Sequence, residues 1–153
     1  MYCVADGIQD HVTGVGDLAP DFDVVTGAGR RVTKEDYAGG VLVLNFWAAS
    51  CAPCVEEAPS LLAFQRSLRG SGVRVLGISL DENENAYKAF LKRLQIDFET
   101  TRDPKRIVST KYGTLRIPET YIIDKAGVVQ AKIISSHDWM DPALIQFVKS
   151  LAE

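Results

Sequence analysis

The eight residues VLVLNFWA at 41–48 carry no charge and lead almost directly into Cys51-Ala52-Pro53-Cys54. A run this short, rich in β-branched and aromatic side chains, reads as a central strand buried on both faces. Such a strand needs cover on two sides. The next segment supplies one cover, a helix expected from about Cys51 to Leu68. In it Ala58, Leu61, Leu62 and Leu68 fall near one face at helical spacing, and Gly70 and Gly72 end it. VRVLGISL at 73–80 is then a second buried strand.

The rest of the chain continues the alternation. FDVV (22–25) and RRVT (30–33) flank the turn TGAG and read as a hairpin. Asp81 and Glu84 have capping-box spacing, ahead of a helix with the apolar stripe Ala86, Phe90 and Leu94. Asp103-Pro104 predicts a shorter helix, with proline at its first position. TYIID (120–124) and VVQAKIIS (128–135) predict an antiparallel hairpin about Lys125-Ala126-Gly127. A last helix opens at Asp141-Pro142 and is expected to bury Leu144, Phe147, Val148 and Leu151. The pattern is that of an α/β protein, a mixed sheet with helices on both faces. Residues 1–16 read as a polar lead-in and 17–153 as one domain, which the length of 153 residues also requires.

Composition narrows the function. Lys and Arg total 17 against 20 Asp and Glu, so the net charge is −3. No basic stripe marks a nucleic-acid binder and no polybasic segment marks anionic lipid. The longest apolar stretch falls far short of the roughly 18 residues of a membrane span. MYCVADGIQD lacks the basic and apolar regions of a signal peptide. The expectation is a soluble chain, compatible with the exported part of a longer precursor whose targeting segment is absent from this sequence. Three cysteines are too few for a disulfide framework.

Cys51 and Cys54 stand where a buried strand gives way to a helix. Cys-x-x-Cys in a βαβ setting is a redox signature. The first cysteine meets the unsatisfied N–H groups and the positive end of the helix, which stabilise a thiolate. An unperturbed thiol is only about 3% ionised at neutral pH, whereas one with a pKa near 7 is about half ionised. Cys54, one turn on, is within reach of a mixed disulfide on Cys51. Pro53 stiffens the turn without losing a backbone bond. A structural staple is a poor alternative, since closing so short a loop stabilises by roughly 2 kcal/mol at best. A zinc site needs four ligands, and only Cys3, His11 and His137 remain to complete one.

With these motifs the chain resembles the thioredoxin superfamily, and within it the TlpA/ResA/CcmG group of thiol-disulfide oxidoreductases. The likeness covers nearly all of 15–153. It rests on APDF (19–22), FWA (46–48), Cys51-Ala52-Pro53-Cys54, Glu57, Pro59, Ile117-Pro118 and YIIDKAG (121–127). The stretch from about Asn83 to Arg102 resembles the insertion that separates this group from plain thioredoxins. The resemblance implies a thioredoxin fold, an extracytoplasmic (periplasmic or membrane-tethered) location and action on protein disulfides, often in cytochrome c biogenesis.

Cys51 is then the nucleophile, Cys54 the resolving cysteine, and together they form the redox-active disulfide. Glu57, three residues after Cys54 and hence on the same side of the helix, is implied as the proton acceptor that tunes Cys54. The plainer reading of Glu57 is a carboxylate favoured by the helix N-terminus, which fits Glu56 well. Pro118, after Ile117, resembles the cis-proline that faces the redox motif. Trp47 is expected in the core with one edge near the site. The implied partners are disulfide-containing exported proteins, apocytochrome c among them, and a membrane thiol reductant of the DsbD or CcdA type. No cofactor, metal or nucleic acid is expected, and the protein is expected to be a monomer.

Two positions depart from the family pattern. Asn45 stands where thioredoxins carry a buried Asp, and Ser50 where many relatives carry Trp. Two other functions stay open. APDF is shared with peroxiredoxins, which implies a thiol peroxidase, although Ala48 occupies the place of their threonine. Soft thiolates also suit Cu(I), which implies a metallochaperone using Cys51, Cys54 and a histidine. Cys3 reads as an exposed free thiol, the alternative being the acylated cysteine of a lipoprotein, for which the preceding Met-Tyr supplies no recognition sequence; His11 reads as part of the lead-in and His137 as a loop residue.

Overall fold

The computed structural model describes residues 12–153. Five strands form the main sheet in the order β5-β4-β3-β6-β7. These are β3 (Val41–Trp47), β4 (Val73–Ser79), β5 (Glu99–Arg102), β6 (Glu119–Ile123) and β7 (Val129–Ile134). β3 pairs in parallel with β4 and antiparallel with β6, so it lies at the centre. All seven of its residues are buried, as its apolar composition predicts. β1 (Asp23–Val25) and β2 (Arg31–Thr33) make a separate antiparallel hairpin. The helices are α1 (Ala52–Ser67), α2 (Glu84–Arg93), α3 (Ile107–Tyr112) and α4 (Pro142–Ala152).

The alternation of side chains along β3 divides the core. Leu42, Leu44 and Phe46 pack on one face with Tyr112, Tyr121 and Ile78. Val41 and Val43 pack on the other face with Leu61 and Phe64 of α1 and Val148 of α4. Burying side chains of this size stabilises by roughly 1.5–3 kcal/mol each. Asn45 and Trp47 continue the second series, so both point toward α1.

Four local expectations are corrected. The cap of α2 is Asn83, whose side chain accepts from Ala86 N–H, because Asp81 is drawn into other contacts. Pro104 lies in a turn ahead of α3 rather than at its first position. Asp103 still caps that helix at a distance, its carboxylate accepting from the N–H groups of Ile107, Val108 and Ser109. β5, absent from the apolar pattern, forms because the exposed edge of β4 pairs with it. Phe147 is 39% exposed, whereas Val148 beside it is fully buried. The hairpin β6–β7 and the Asp141 cap of α4 are as the sequence predicts. Among the described residues, no helix is long and apolar enough to cross a membrane.

Candidate active site

The site lies where β3 runs into α1. Cys51 is the N-cap of α1, and its sulfur accepts from the Cys54 N–H at 3.3 Å. The cap position places the sulfur among the free N–H groups of the first turn, the local feature that favours negative charge there. Cys51 and Cys54 form a disulfide, with Cα atoms 5.2 Å apart. The two sulfurs occupy different environments. Cys51 is partly exposed, whereas Cys54 is only 2% exposed.

Opposite Cys51 stands the loop before β6. The Ile117–Pro118 peptide bond is cis. The Ile117 carbonyl oxygen lies 3.7 Å from Cys51 Sγ. Ser135 N–H donates to the Pro118 carbonyl at 3.0 Å, tying the loop to the end of β7. The wall behind Cys54 is aromatic. Trp47 stacks on Phe90 with centroids 4.2 Å apart and on Tyr87 at 5.9 Å. These residues form one cluster with Cys54 and Ala58, so α2 covers the buried sulfur.

Glu57 lies one turn beyond Cys54 and is 3% exposed. The two line the same small cleft, with Asn45, Trp47 and Phe90. Trp139 Nε1–H donates to Glu57 Oε1 at 2.8 Å, and Asn45 Nδ2–H donates to Oε2 at 3.3 Å. Asn45 also donates to Thr120 Oγ1 at 2.8 Å, its partner across the β3–β6 ladder. Burial pushes the Glu57 carboxyl above the ordinary carboxylate range, and the bonds from Trp139 and Asn45 oppose that rise without cancelling it. A carboxylate so placed takes up a proton more readily than an exposed one.

The loop between β3 and Cys51 is held from β4. Both Asp81 oxygens accept from Ala49 N–H, at 3.0 and 3.1 Å. Ser79 Oγ–H donates to Asp81 Oδ2 at 2.5 Å. This clamp fixes the backbone two residues before the cysteine.

The structure gathers Trp47, Cys51, Pro53, Cys54, Glu57, Ile117 and Pro118 at one end of the sheet. Glu56 and Pro59 lie on the exposed side of α1. Cys3 and His11 lie outside the described residues. His137 is in a loop, as expected, yet lines a cleft with Glu57. Sequence reasoning missed Trp139 and Asp81. The first is 82 residues from the carboxylate it binds, and no local spacing links them. The second reads as a helix cap. Among the described residues, no three His, Cys, Asp or Glu side chains converge on a metal position.

The sequence profile of the AhpC/TSA family matches residues 15–132. The chain belongs to the AhpC/TSA family. Curated relatives in sequence include the thiol-disulfide oxidoreductase ResA of Bacillus thuringiensis subsp. konkukian, 30% identical over 119 residues. That match covers 78% of this chain and 69% of the relative. ResA of Geobacillus thermodenitrificans is 34% identical over 121 residues, covering 79% and 69%. In structure the chain is similar to a thiol:disulfide interchange protein described as DsbE from Chlorobium tepidum. The TM-score is 0.84 at 28% identity, over 94% of this chain and 100% of that one. This member of the AhpC/TSA family therefore has the thioredoxin fold and is a thiol-disulfide oxidoreductase of the ResA/DsbE type, carrying a Cys-x-x-Cys pair at disulfide distance. Its substrates contain disulfides.

Proposed function

We propose that this chain is an extracytoplasmic reductase of disulfides in exported proteins. The observation that carries the reading is the asymmetry of the two sulfurs. Cys51 is partly exposed at the helix N-terminus, while Cys54 is buried above a buried carboxylate. Cys51 thiolate attacks one sulfur of the substrate disulfide, forming a mixed disulfide and releasing the other sulfur as thiolate. Glu57 accepts the Cys54 proton. Cys54 thiolate then attacks Cys51, closing the Cys51–Cys54 disulfide and freeing the second substrate thiolate. Two electrons pass from the dithiol to the substrate.

Pro118 and the carbonyl of Ile117 form the ledge on which an extended substrate segment pairs beside Cys51. Pro53 stiffens the turn, and Trp47 shields Cys54 from bulk water. The chain acts as a monomer. A membrane thiol reductant of the DsbD or CcdA type returns it to the dithiol, and apocytochrome c is the favoured substrate. The relatives named ResA and DsbE support the extracytoplasmic setting.

The test is covalent capture. Cys54→Ser expressed in an oxidising compartment should accumulate exported proteins disulfide-bonded to Cys51, and Cys51→Ser should accumulate none. A Cys54→Ser protein carrying only glutathione, or only its own copy through Cys3, sinks the protein-reductase reading. Capture of exported proteins other than cytochromes removes only the pathway.

A further inference from the structure

Glu57 lines two clefts, the small one it shares with Cys54 and a larger one on the side of the loop before α4. Between α1 and the loop before α4 lies a cleft of about 250 Å³, lined by Glu56, Glu57, Ser60, Ser136, His137 and Asp138. It has room for several waters, at about 30 Å³ each. The loop is pinned against α1: Ser60 Oγ accepts from Trp139 N–H at 3.1 Å and lies 3.4 Å from the His137 carbonyl. The His137 ring packs edge-on to Trp139, with centroids 6.2 Å apart, and Trp139 is the residue bonded to Glu57. His137 Nε2 lies 3.6 Å from Asp141 Oδ2 at the cap of α4.

While the proton stays on Glu57 it can return to Cys54, so the attacking thiolate persists only if that proton leaves. The cleft Glu57 shares with Cys54, walled by Trp47 and Phe90, has only about 10 Å³ of room, against about 250 Å³ on the loop side. We propose that His137 relays the Glu57 proton to solvent through this cleft, making it a proton-transfer residue for the resolving step. The inference rests on the reading of Glu57 as the Cys54 acceptor. In sequence, Cys54–SH gives its proton to the Glu57 carboxylate, and Glu57–COOH gives it to neutral His137 through cleft water. His137 imidazolium then releases it to solvent. Each step moves one proton and leaves Glu57 as the carboxylate.

The titratable and charged groups around this route come from three elements. Cys54 and Glu56 are on α1, His137 and Asp138 on the loop, and Asp141 at the cap of α4. β3 and β6 present the neutral Asn45 and Thr120. His137 is the nitrogen base of this set that is half exposed in the cleft, so it meets both Glu57 and water.

The experiment is stopped-flow reaction of the reduced protein with Ellman's reagent, in a Cys3→Ser background. The first release of thionitrobenzoate reports attack by Cys51, and the second reports resolution by Cys54. His137→Ala and His137→Gln should leave the first phase unchanged. They should slow the second on the order of tenfold, less than the roughly 10²–10⁴-fold typical of losing a general base itself. Imidazole in the buffer should restore the second phase of His137→Ala, because the open cleft admits it. Glu57→Gln should be slow in the second phase and gain nothing from imidazole. A second phase in His137→Ala equal to the parent's, while Glu57→Gln is slow, overturns the relay alone. Slowing without imidazole rescue also overturns it, leaving His137 a structural residue. A Glu57→Gln protein as fast as the parent overturns the role of Glu57 and the relay with it.

Discussion

The indole of Trp139 donates to Oε1 of Glu57 at 2.8 Å, so the loop before α4 grips the carboxylate beneath the redox pair. Asn45 holds the other oxygen from the central strand. Both donors bond to a group whose charged form is disfavoured by burial, and they set how far that penalty goes.

Trp139→Phe keeps an aromatic ring against Phe64, now 5.2 Å away, and deletes the N–H. The carboxylate then lacks one of the hydrogen bonds that lower its pKa, so that pKa rises further. At neutral pH the variant should be less stable by about 1–3 kcal/mol, the range for a buried group left short of a partner. The loss should shrink in acid, where Glu57 is protonated. Urea denaturation of the oxidised protein at both pH values checks this; an equal loss at both would mean that only packing was removed.

Glu57 should leave a signature in stability against pH. Burial raises its pKa above the unfolded value, so the folded chain holds this proton more tightly. Its contribution to stability is therefore complete below the unfolded pKa and is lost as pH rises through the folded one. Glu57→Gln does not titrate. The unfolding free energy of the parent should fall relative to Glu57→Gln as pH rises from about 4, the ordinary carboxylate range, through the raised folded pKa. Parallel curves would place the Glu57 titration at its unfolded value.

Asp81→Ala removes the acceptor of Ala49 N–H and of the Ser79 hydroxyl, both held by one buried carboxylate. The expected loss is about 1–3 kcal/mol. The loop leading to Cys51 should loosen with it, changing the rate at which reduced Cys51 is alkylated. Asp81→Asn keeps one acceptor oxygen and should lose less. Equal stability of the Ala variant and the parent would mean that the clamp contributes nothing.

Gly77 in β4 leaves room for the aromatic wall. A Cβ there would sit 3.0 Å from Trp47 Nε1 and 3.1 Å from Phe98 Cε1, inside ordinary contact distance. Gly77→Ala should destabilise by about 1–3 kcal/mol, as overpacked cores do. Trp47 should be displaced from Phe90, shifting the tryptophan emission. Unchanged emission and stability would show that the wall yields without strain.

Much of this architecture is legible because its causes are local. The charge-free run from Val41 makes a buried strand whatever follows it, and the spacing of Leu61 and Leu68 makes a helix with one apolar side. Asp141-Pro142 caps α4 through a bond to a residue two positions on. β5 is legible only from its neighbour. Glu99–Arg102 is polar and becomes a strand because the edge of β4 offers unpaired backbone groups.

By itself the sequence determined the order of the helices and of the strands other than β5, and set Cys51 at a helix N-terminus with Cys54 one turn on. Those features depend on residues within a few positions of one another, through periodicity, caps and hydrogen bonds along one helix. Tertiary structure decided what surrounds the two sulfurs. Capping-box spacing assigned Asp81 to α2, but folding gave it to Ala49, and it brought Trp139 across 82 residues to Glu57. A buried carboxylate takes whatever donors packing brings to it. That choice is made by the way α1, β4 and the loop before α4 close on the sheet, which no spacing along the chain records.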